Sequence, residues 1–225
     1  ITGLRRDSLL AFDRSGLPTK RNEDWKYTNI GGLFEKEYYL KTDTPDHADT
    51  LAAINSMRPP GHFEANEIVF VNGYYVPSLS TIRSPSDHLT VLPLEDAATG
   101  TYKEVIRENL GCSSAYIKDG IHALNTAFIH AGVFIRIAKG IELSHPVYIY
   151  NLSNARLHPV LSQPRSLLYV EQGANARLVE TFSTLGVSDS FTNGAMEMVL
   201  DDNTMVEYYK IQNETTNASQ VSTTH

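Results

Sequence analysis

Between Pro164 and Glu214 the apolar positions come in short runs separated by turn-forming residues. Ser166–Val170 leads into Gln172-Gly-Ala-Asn175, and Ala176–Phe182 follows. After a polar spacer the same order returns as Ala195–Leu200, a turn at Asp201–Thr204, and Met205–Ile211. Runs rich in β-branched and aromatic residues, bounded by Gly and Asx clusters, predict strands. Period-two alternation puts Met196, Met198 and Leu200 on one face and Glu197 on the other. The β pattern begins at Gly132, with Val133–Ile137, a turn at Ala138–Gly140, Ile141–Leu143 and Pro146–Tyr150. The turns near Gly140, Gly173 and Asn203 fall about thirty residues apart, which marks a structural repeat although residue identities do not repeat. Taken alone, these runs read as consecutive antiparallel hairpins.

Upstream the period changes. Residues 3–15 predict a helix carrying Leu4, Leu9, Leu10 and Phe12, stopped by Gly16 and Pro18. Residues 16–30 are irregular and hold the single tryptophan, Trp25, which reads as an aromatic clasp between charged neighbours. Residues 36–66 are polar and turn-rich, with a helix over Pro45–Met57. Glu67–Val71, Asn72-Gly73 and Tyr74–Val76 predict a hairpin with a type I′ turn. Leu94–Leu110 and Ile121–His130 predict two further helices.

With 225 residues, 41% of them hydrophobic and 20% charged, the chain can bury a core as one large domain or two small ones. The formal charge of −7 argues against a broad nucleic-acid or anionic-membrane surface. No run of eighteen apolar residues predicts a membrane span, and the N-terminus, which starts at Ile1, lacks a signal segment. Cys112 is the single cysteine, which excludes a disulfide framework and a thiolate-rich metal site within these residues. A reducing, cytoplasmic setting is the expectation.

Candidate chemistry is sparse. His47, His62, His88, His122, His130, His145, His158 and His225 form no local ligand pair. Cys112 reads as a small, partly buried side chain, since a catalytic thiol would need a base that the sequence does not place. No phosphate loop, dinucleotide fingerprint or nucleophile elbow is present. Asp201 and Asp202 suit a turn. Glu180, Glu197 and Glu207 could line a groove as general acid or base, and alternation onto a solvated face explains them equally well.

Five stretches, in order, resemble one family. Gly16-Leu-Pro-Thr-Lys-Arg-Asn-Glu-Asp-Trp-Lys-Tyr-Thr28 is similar to the N-terminal signature of the SufD side of the SufB/SufD family of iron–sulfur cluster assembly proteins. Leu124–Phe128, Pro164–Gly173, Ala176–Phe182 and Val206–Gln212 are similar to later blocks of that family. The long helical N-terminal region favours the SufD side over SufB. The resemblance implies a mainly β chain, a right-handed parallel β-helix preceded by a partly helical region. Residues 1–130 would form the N-terminal region, with its hairpin near 67–76, and 131–225 the first part of the β-helix. It also implies a scaffold subunit without catalysis of its own, in a complex with SufB-like and SufC-like subunits. There SufC is the ATPase and the complex serves cluster assembly and iron supply.

The family's C-terminal rungs, its histidine-containing segment and its SufC-docking surface have no match here. The reading is therefore of a fragment, or the ordered part, of a longer protein with an open last rung. No catalytic or cofactor-binding residue is assigned, His225 is not carried over, and metal ligands stay open. Iron or a cluster could bind transiently in the complex, and an isolated chain could pair with itself. The competing readings are a β-helix enzyme acting on polysaccharide through a groove of Glu or Asp residues, and a jelly-roll or cupin-like module with clustered histidines.

Overall fold

The computed structural model describes residues 1–40, 47–115, 117–214 and 216–225. Its centre is a β-solenoid of about three turns, in which the chain passes back and forth between two stacked sheets. Strands β1 (Asn66–Val71), β5 (Val147–Asn154), β8 (Asn175–Leu185) and β10 (Met205–Gln212) lie parallel in one sheet. Strands β4 (Val133–Ile137), β7 (Arg165–Val170), β9 (Ser190–Leu200) and β11 (Ala218–Thr224) lie parallel in the other. A short β6 (Val160–Ser162) pairs with the first residues of β9. The hairpin reading of these runs is thus replaced by stacking: Val147 lies beside Leu178, and Leu178 beside Tyr208, each about thirty residues on.

Stacked coils require stacked corners. Gly140, Gly173 and Asn203 all have positive φ, at 70°, 74° and 57°, and occupy one corner in successive coils. Gly140 N donates to Gln172 O and Gly173 N to Asp202 O, both at 2.9 Å, so each corner is bonded to the next. The thirty-residue spacing in the sequence is this corner ladder.

Strands β8 and β9 are longer than their apolar runs. The polar spacer before Ala195 is strand from Ser190 onward, and β8 continues through Ser183-Thr184-Leu185. The reason lies in the interior. Near the Gly173 corner the lumen is apolar, filled by Ile68, Ile135, Ile149, Leu168, Leu178 and Met196. Toward the opposite corner it is polar: Ser153 Oγ lies 2.8 Å from Ser162 Oγ and 3.2 Å from Thr192 Oγ1, and Thr184 Oγ1 lies 2.7 Å from Ser190 Oγ. These buried hydroxyls find partners across the lumen or in the next coil, so inward positions need not be apolar.

The remaining elements clothe this core. The Asn72-Gly73 turn forms as expected, closing β1 on β2 (Tyr74–Tyr75). Strand β1 also pairs with β5, so the hairpin extends a solenoid sheet. Strand β3 (Leu89–Pro93), which the sequence did not suggest, pairs antiparallel with β4 and edges the other sheet. Helix α1 (Thr2–Ser15) stops at Gly16, φ 62°. Helix α2 starts at His47 and ends at Met57, while Pro45 and Asp46 lie outside the described residues. The single helix expected over Leu94–Leu110 is two, α3 (Leu94–Thr99) and α4 (Lys103–Asn109), because Gly100 ends the first. Helix α5 (Gly120–Ala127) is capped by Asp119, whose Oδ1 accepts from His122 N at 2.8 Å. Trp25 clasps the same residue, its indole N–H donating to Asp119 Oδ2 at 3.3 Å, while its ring packs with Ile30, Ile121 and Phe191.

The corner ladder sets a direct test. Gly173→Ala places a Cβ at φ 74° and is expected to cost about 1–2 kcal/mol. Asn203→Gly relaxes the same conformation in the next coil and is expected to leave stability unchanged or slightly higher. Urea unfolding of the two variants beside the parent protein checks both.

Candidate functional site

The densest group of buried ionisable side chains lies where the N-terminal layer covers the outer face of β7 and β9. On β9, Met196 and Met198 turn into the lumen, so Glu197 points outward, as alternation predicted. That outward face is not solvated. Glu197 is 1% exposed, beneath the segment Gly111–Ala115 that precedes α5. Arg165, at the start of β7 and 0% exposed, reaches it diagonally across the ladder, with Nη2 2.6 Å from Glu197 Oε2.

Each charge is further held by the N-terminal layer. Gly111 N donates to Glu197 Oε2 at 2.9 Å and Ser113 N to Oε1 at 3.0 Å, and the Ser113 hydroxyl makes a short bond to Oε1. Arg165 Nη1 donates to Asn125 Oδ1 at 3.1 Å and to Thr126 Oγ1 at 3.3 Å, both on α5. Burial alone would raise the Glu197 carboxyl; Arg165, the Ser113 hydroxyl and the two backbone N–H groups hold it below its usual range. Asn125 and Asn193 add a polar lacing, with Asn125 Nδ2 on Asn193 O at 2.6 Å and Asn193 Nδ2 on Ile121 O at 3.0 Å.

His122 ends the chain of contacts. Its Nε2 lies 2.9 Å from Ser113 Oγ. An ionised carboxylate can only accept, so Ser113 donates its hydroxyl proton to Glu197 and accepts from His122 Nε2–H. Nδ1 is then a bare acceptor, and among the described residues it has no hydrogen-bond partner. Burial, reinforced by the Arg165 charge, pushes the His122 pKa down to about 4, so the ring is neutral near pH 7. The order Glu197–Ser113–His122 leaves the serine between two partners and the histidine without an orienting carboxylate. A nucleophilic triad needs the base between nucleophile and acid, so this arrangement holds layers together instead of activating Ser113.

The other residues singled out in the sequence are dispersed. Glu180 is not on a solvated face: it turns into the lumen, where Asn151 Nδ2 donates to Oε1 at 3.1 Å and Tyr208 makes a short bond to Oε2. Burial raises its carboxyl pKa. Glu207 lies on the outer face of β10 and pairs with Arg177 at 2.7 Å. The three glutamates therefore face three different environments and form no common groove. Cys112 is exposed, not partly buried as expected. Asp201 accepts from Tyr169 Oη at 3.1 Å. His62 bonds Pro59 O, His145 bonds Glu64 O, His158 stacks on Tyr39 and His130 meets Arg5. Among the described residues, no three His, Cys, Asp or Glu side chains gather into a group that could hold a metal.

Two family profiles match the chain end to end. Residues 1–149 match the SufBD protein N-terminal region, and residues 151–225 match the SufBD core domain of the SUF system for FeS cluster assembly. The chain belongs to the SufB/SufD family. It is 25% identical over 97% of its length to an iron-sulfur cluster assembly SufBD family protein of Synechocystis sp., covering 51% of that protein. It is also 25% identical over 88% of its length to the iron-sulfur cluster assembly protein SufD of Escherichia coli K12, covering 43% of it. The chain thus spans about half the length of these curated relatives. The two SufBD regions meet at residue 150, inside β5, so the solenoid sheet runs through both. The Arg165–Glu197 cluster likewise joins groups from both regions.

Sequence reading missed Arg165, Ser113 and Asn125 as a set. One signal was present: an arginine opening an apolar strand, with a glutamate two residues beyond the matching position of the next run. Breaking a buried pair leaves an uncompensated charge, so Arg165→Met is expected to destabilise by about 3–5 kcal/mol in urea unfolding at pH 7. His122 supplies a pH test. Unfolded, it takes its proton near pH 6.5, but folded only near pH 4. Its contribution is full above pH 6.5 and is lost as pH falls toward 4; the gap corresponds to roughly 3 kcal/mol. A His122→Gln variant should show a flatter dependence between pH 7 and 4.5.

Proposed function

We infer that the chain belongs to a SufD-like scaffold subunit that works with SufB-like and SufC-like partners in iron–sulfur cluster assembly. The observation that carries this reading is the unbroken succession of the two SufBD regions over residues 1–149 and 151–225. The SufD side is favoured by the similarity to the Escherichia coli protein and by the long partly helical N-terminal region. ATP chemistry would belong to the SufC-like partner, since this sequence carries no phosphate loop. Iron or a cluster would pass through the assembly as cargo, and no residue of this chain is assigned to hold it.

The buried polar cluster fits a structural role in such a subunit. A scaffold must present fixed surfaces, and the bonds from Gly111, Ser113, Asn125 and Thr126 to the Arg165–Glu197 pair hold the N-terminal layer on the solenoid through charge-assisted contacts that tolerate little displacement. The polysaccharide-acting alternative needs acidic residues in an open groove; Glu180 and Glu197 are instead buried and ligated.

Affinity capture tests the reading. Tagged full-length protein, isolated under reducing anaerobic conditions, is expected to recover SufB-like and SufC-like subunits from cells expressing the whole system. Recovery of neither by a properly folded bait would overturn the assignment.

A further inference from the structure

Strands β8 and β10 place an acid and a base side by side inside the lumen. Glu180 and Lys210 are register partners in the parallel ladder, so their Cα atoms lie about 4.8 Å apart. Both side chains turn inward. Glu180 Oε1 accepts from Asn151 Nδ2 at 3.1 Å, and Lys210 Nζ lies 5.9 Å from the centre of the Phe182 ring. Yet the two charged heads are turned to other partners. Lys210 Nζ donates across the lumen to Ser222 Oγ at 2.9 Å and to Thr224 Oγ1 at 3.2 Å, both on β11. Glu180 Oε2 meets the Tyr208 hydroxyl in a short bond, and Tyr208 in turn meets the Thr224 hydroxyl.

An ionised carboxylate one strand away would draw the ammonium onto itself, because it attracts that charge far more strongly than a hydroxyl does. The observed arrangement is the one expected when Glu180 carries its proton. A neutral carboxyl can donate, so Oε2–H goes to Tyr208 Oη and the Tyr208 O–H goes on to Thr224 Oγ1. Burial acts in the same direction and raises the Glu180 carboxyl, against the pull of Tyr208, Lys210 and Asn151. The titratable groups that face it are Tyr208 and Lys210 from β10. Asn151 from β5 and the hydroxyls of β11 are neutral, and β9 turns its glutamate to the outer face.

We propose that Lys210 is a proton-controlled bolt between the two sheets of the solenoid. With Glu180 neutral, the bolt is thrown across the lumen onto β11, as observed. When Glu180 releases its proton to solvent, Lys210 withdraws to the carboxylate and Tyr208 turns its O–H to the same group. Both motions take bonds away from β11, whose Ser222 and Thr224 lose Lys210 and Tyr208 as donors. Gln212 Nε2 and Gln220 Oε1, 2.6 Å apart across the same lumen, carry no charge and keep their tie. Strand β11 responds because, among the described residues, it pairs with β9 alone. A carboxyl raised by folding stabilises at low pH, and that contribution is lost as pH rises through its folded value. Strand β11 is therefore firm below that pH and looser above it. Nothing in this proposal enters the cluster-assembly reading, and either can fail without the other.

Hydrogen exchange of isotope-labelled full-length protein tests this from about pH 5 to about pH 9, a range that spans buried glutamates. Backbone direction alternates and His225 N donates to Met196 O, so the Val221 and Thr223 amides report the ladder between β11 and β9. Their protection, corrected for intrinsic exchange and referred to Ile149 in the core, is expected to fall about tenfold as pH rises, the weight of one bond to a charged group. The fall should share its midpoint with the carbon-13 titration of the Glu180 carboxyl and with a shift of the Lys210 Nζ signal. Glu180→Gln should keep protection high at every pH, and Lys210→Met should keep it low. If a variant does not fold, the Lys210 Nζ signal of the unaltered protein decides in its place. A Glu180 carboxyl that does not titrate in this range overturns the proposal, and so does β11 protection that ignores its titration. A Lys210 Nζ signal that stays fixed, or a pH dependence that survives either substitution, overturns it equally.

Discussion

Parallel hydrogen-bond ladders between segments about thirty residues apart are the constraint on which the rest of this protein depends. A parallel strand cannot pair with its neighbour in sequence through a tight turn, so each run must find its partner one coil away. Once that spacing is set, the corners must repeat in shape, which is why positive φ recurs at Gly140, Gly173 and Asn203. The lumen follows as well. Inward side chains from the two sheets meet across the lumen and along the stack, apolar against apolar near the Gly173 corner and hydroxyl against hydroxyl at the other.

The outer face of β7 and β9 carries the second organising contact. An arginine and a glutamate withdrawn from water are costly, and they are tolerated here because they pair with each other and the N-terminal layer supplies hydrogen bonds to both. The cluster is therefore sensitive to relative displacement of the layers in a way that an apolar seam would not be. The family's two regions are joined by this cluster and by the pairing of β1 with β5. That arrangement ties the two regions of this SufB/SufD chain together through one continuous solenoid sheet and one buried cluster.

Much of this was legible in the residues themselves. Period-two runs located β4, β5, β7, β8 and β10, Asn72-Gly73 named its turn, and Gly16 stopped α1 where it should, because each signal is local. Five ordered stretches, from Gly16–Thr28 to Val206–Gln212, were enough to indicate the family. Less legible were the polar ends of β8 and β9, whose inward serines and threonines look like a loop until the partner coil is in place. Strand β3 was hidden because its five residues become a strand by pairing with β4.

The sequence by itself determined where strands and turns fall and how far apart they recur, since propensity and alternation are properties of a few consecutive residues. The tertiary structure decided which faces are wet. Glu197 pointed away from the lumen on either reading, but whether that meant water or a buried ion pair depended on Gly111, Ser113 and Arg165 arriving from distant parts of the chain. His122 was one of eight scattered histidines until Ser113 fixed its tautomer and burial kept it neutral. Burial and charge environment are sums over neighbours in space, and no stretch of sequence contains them.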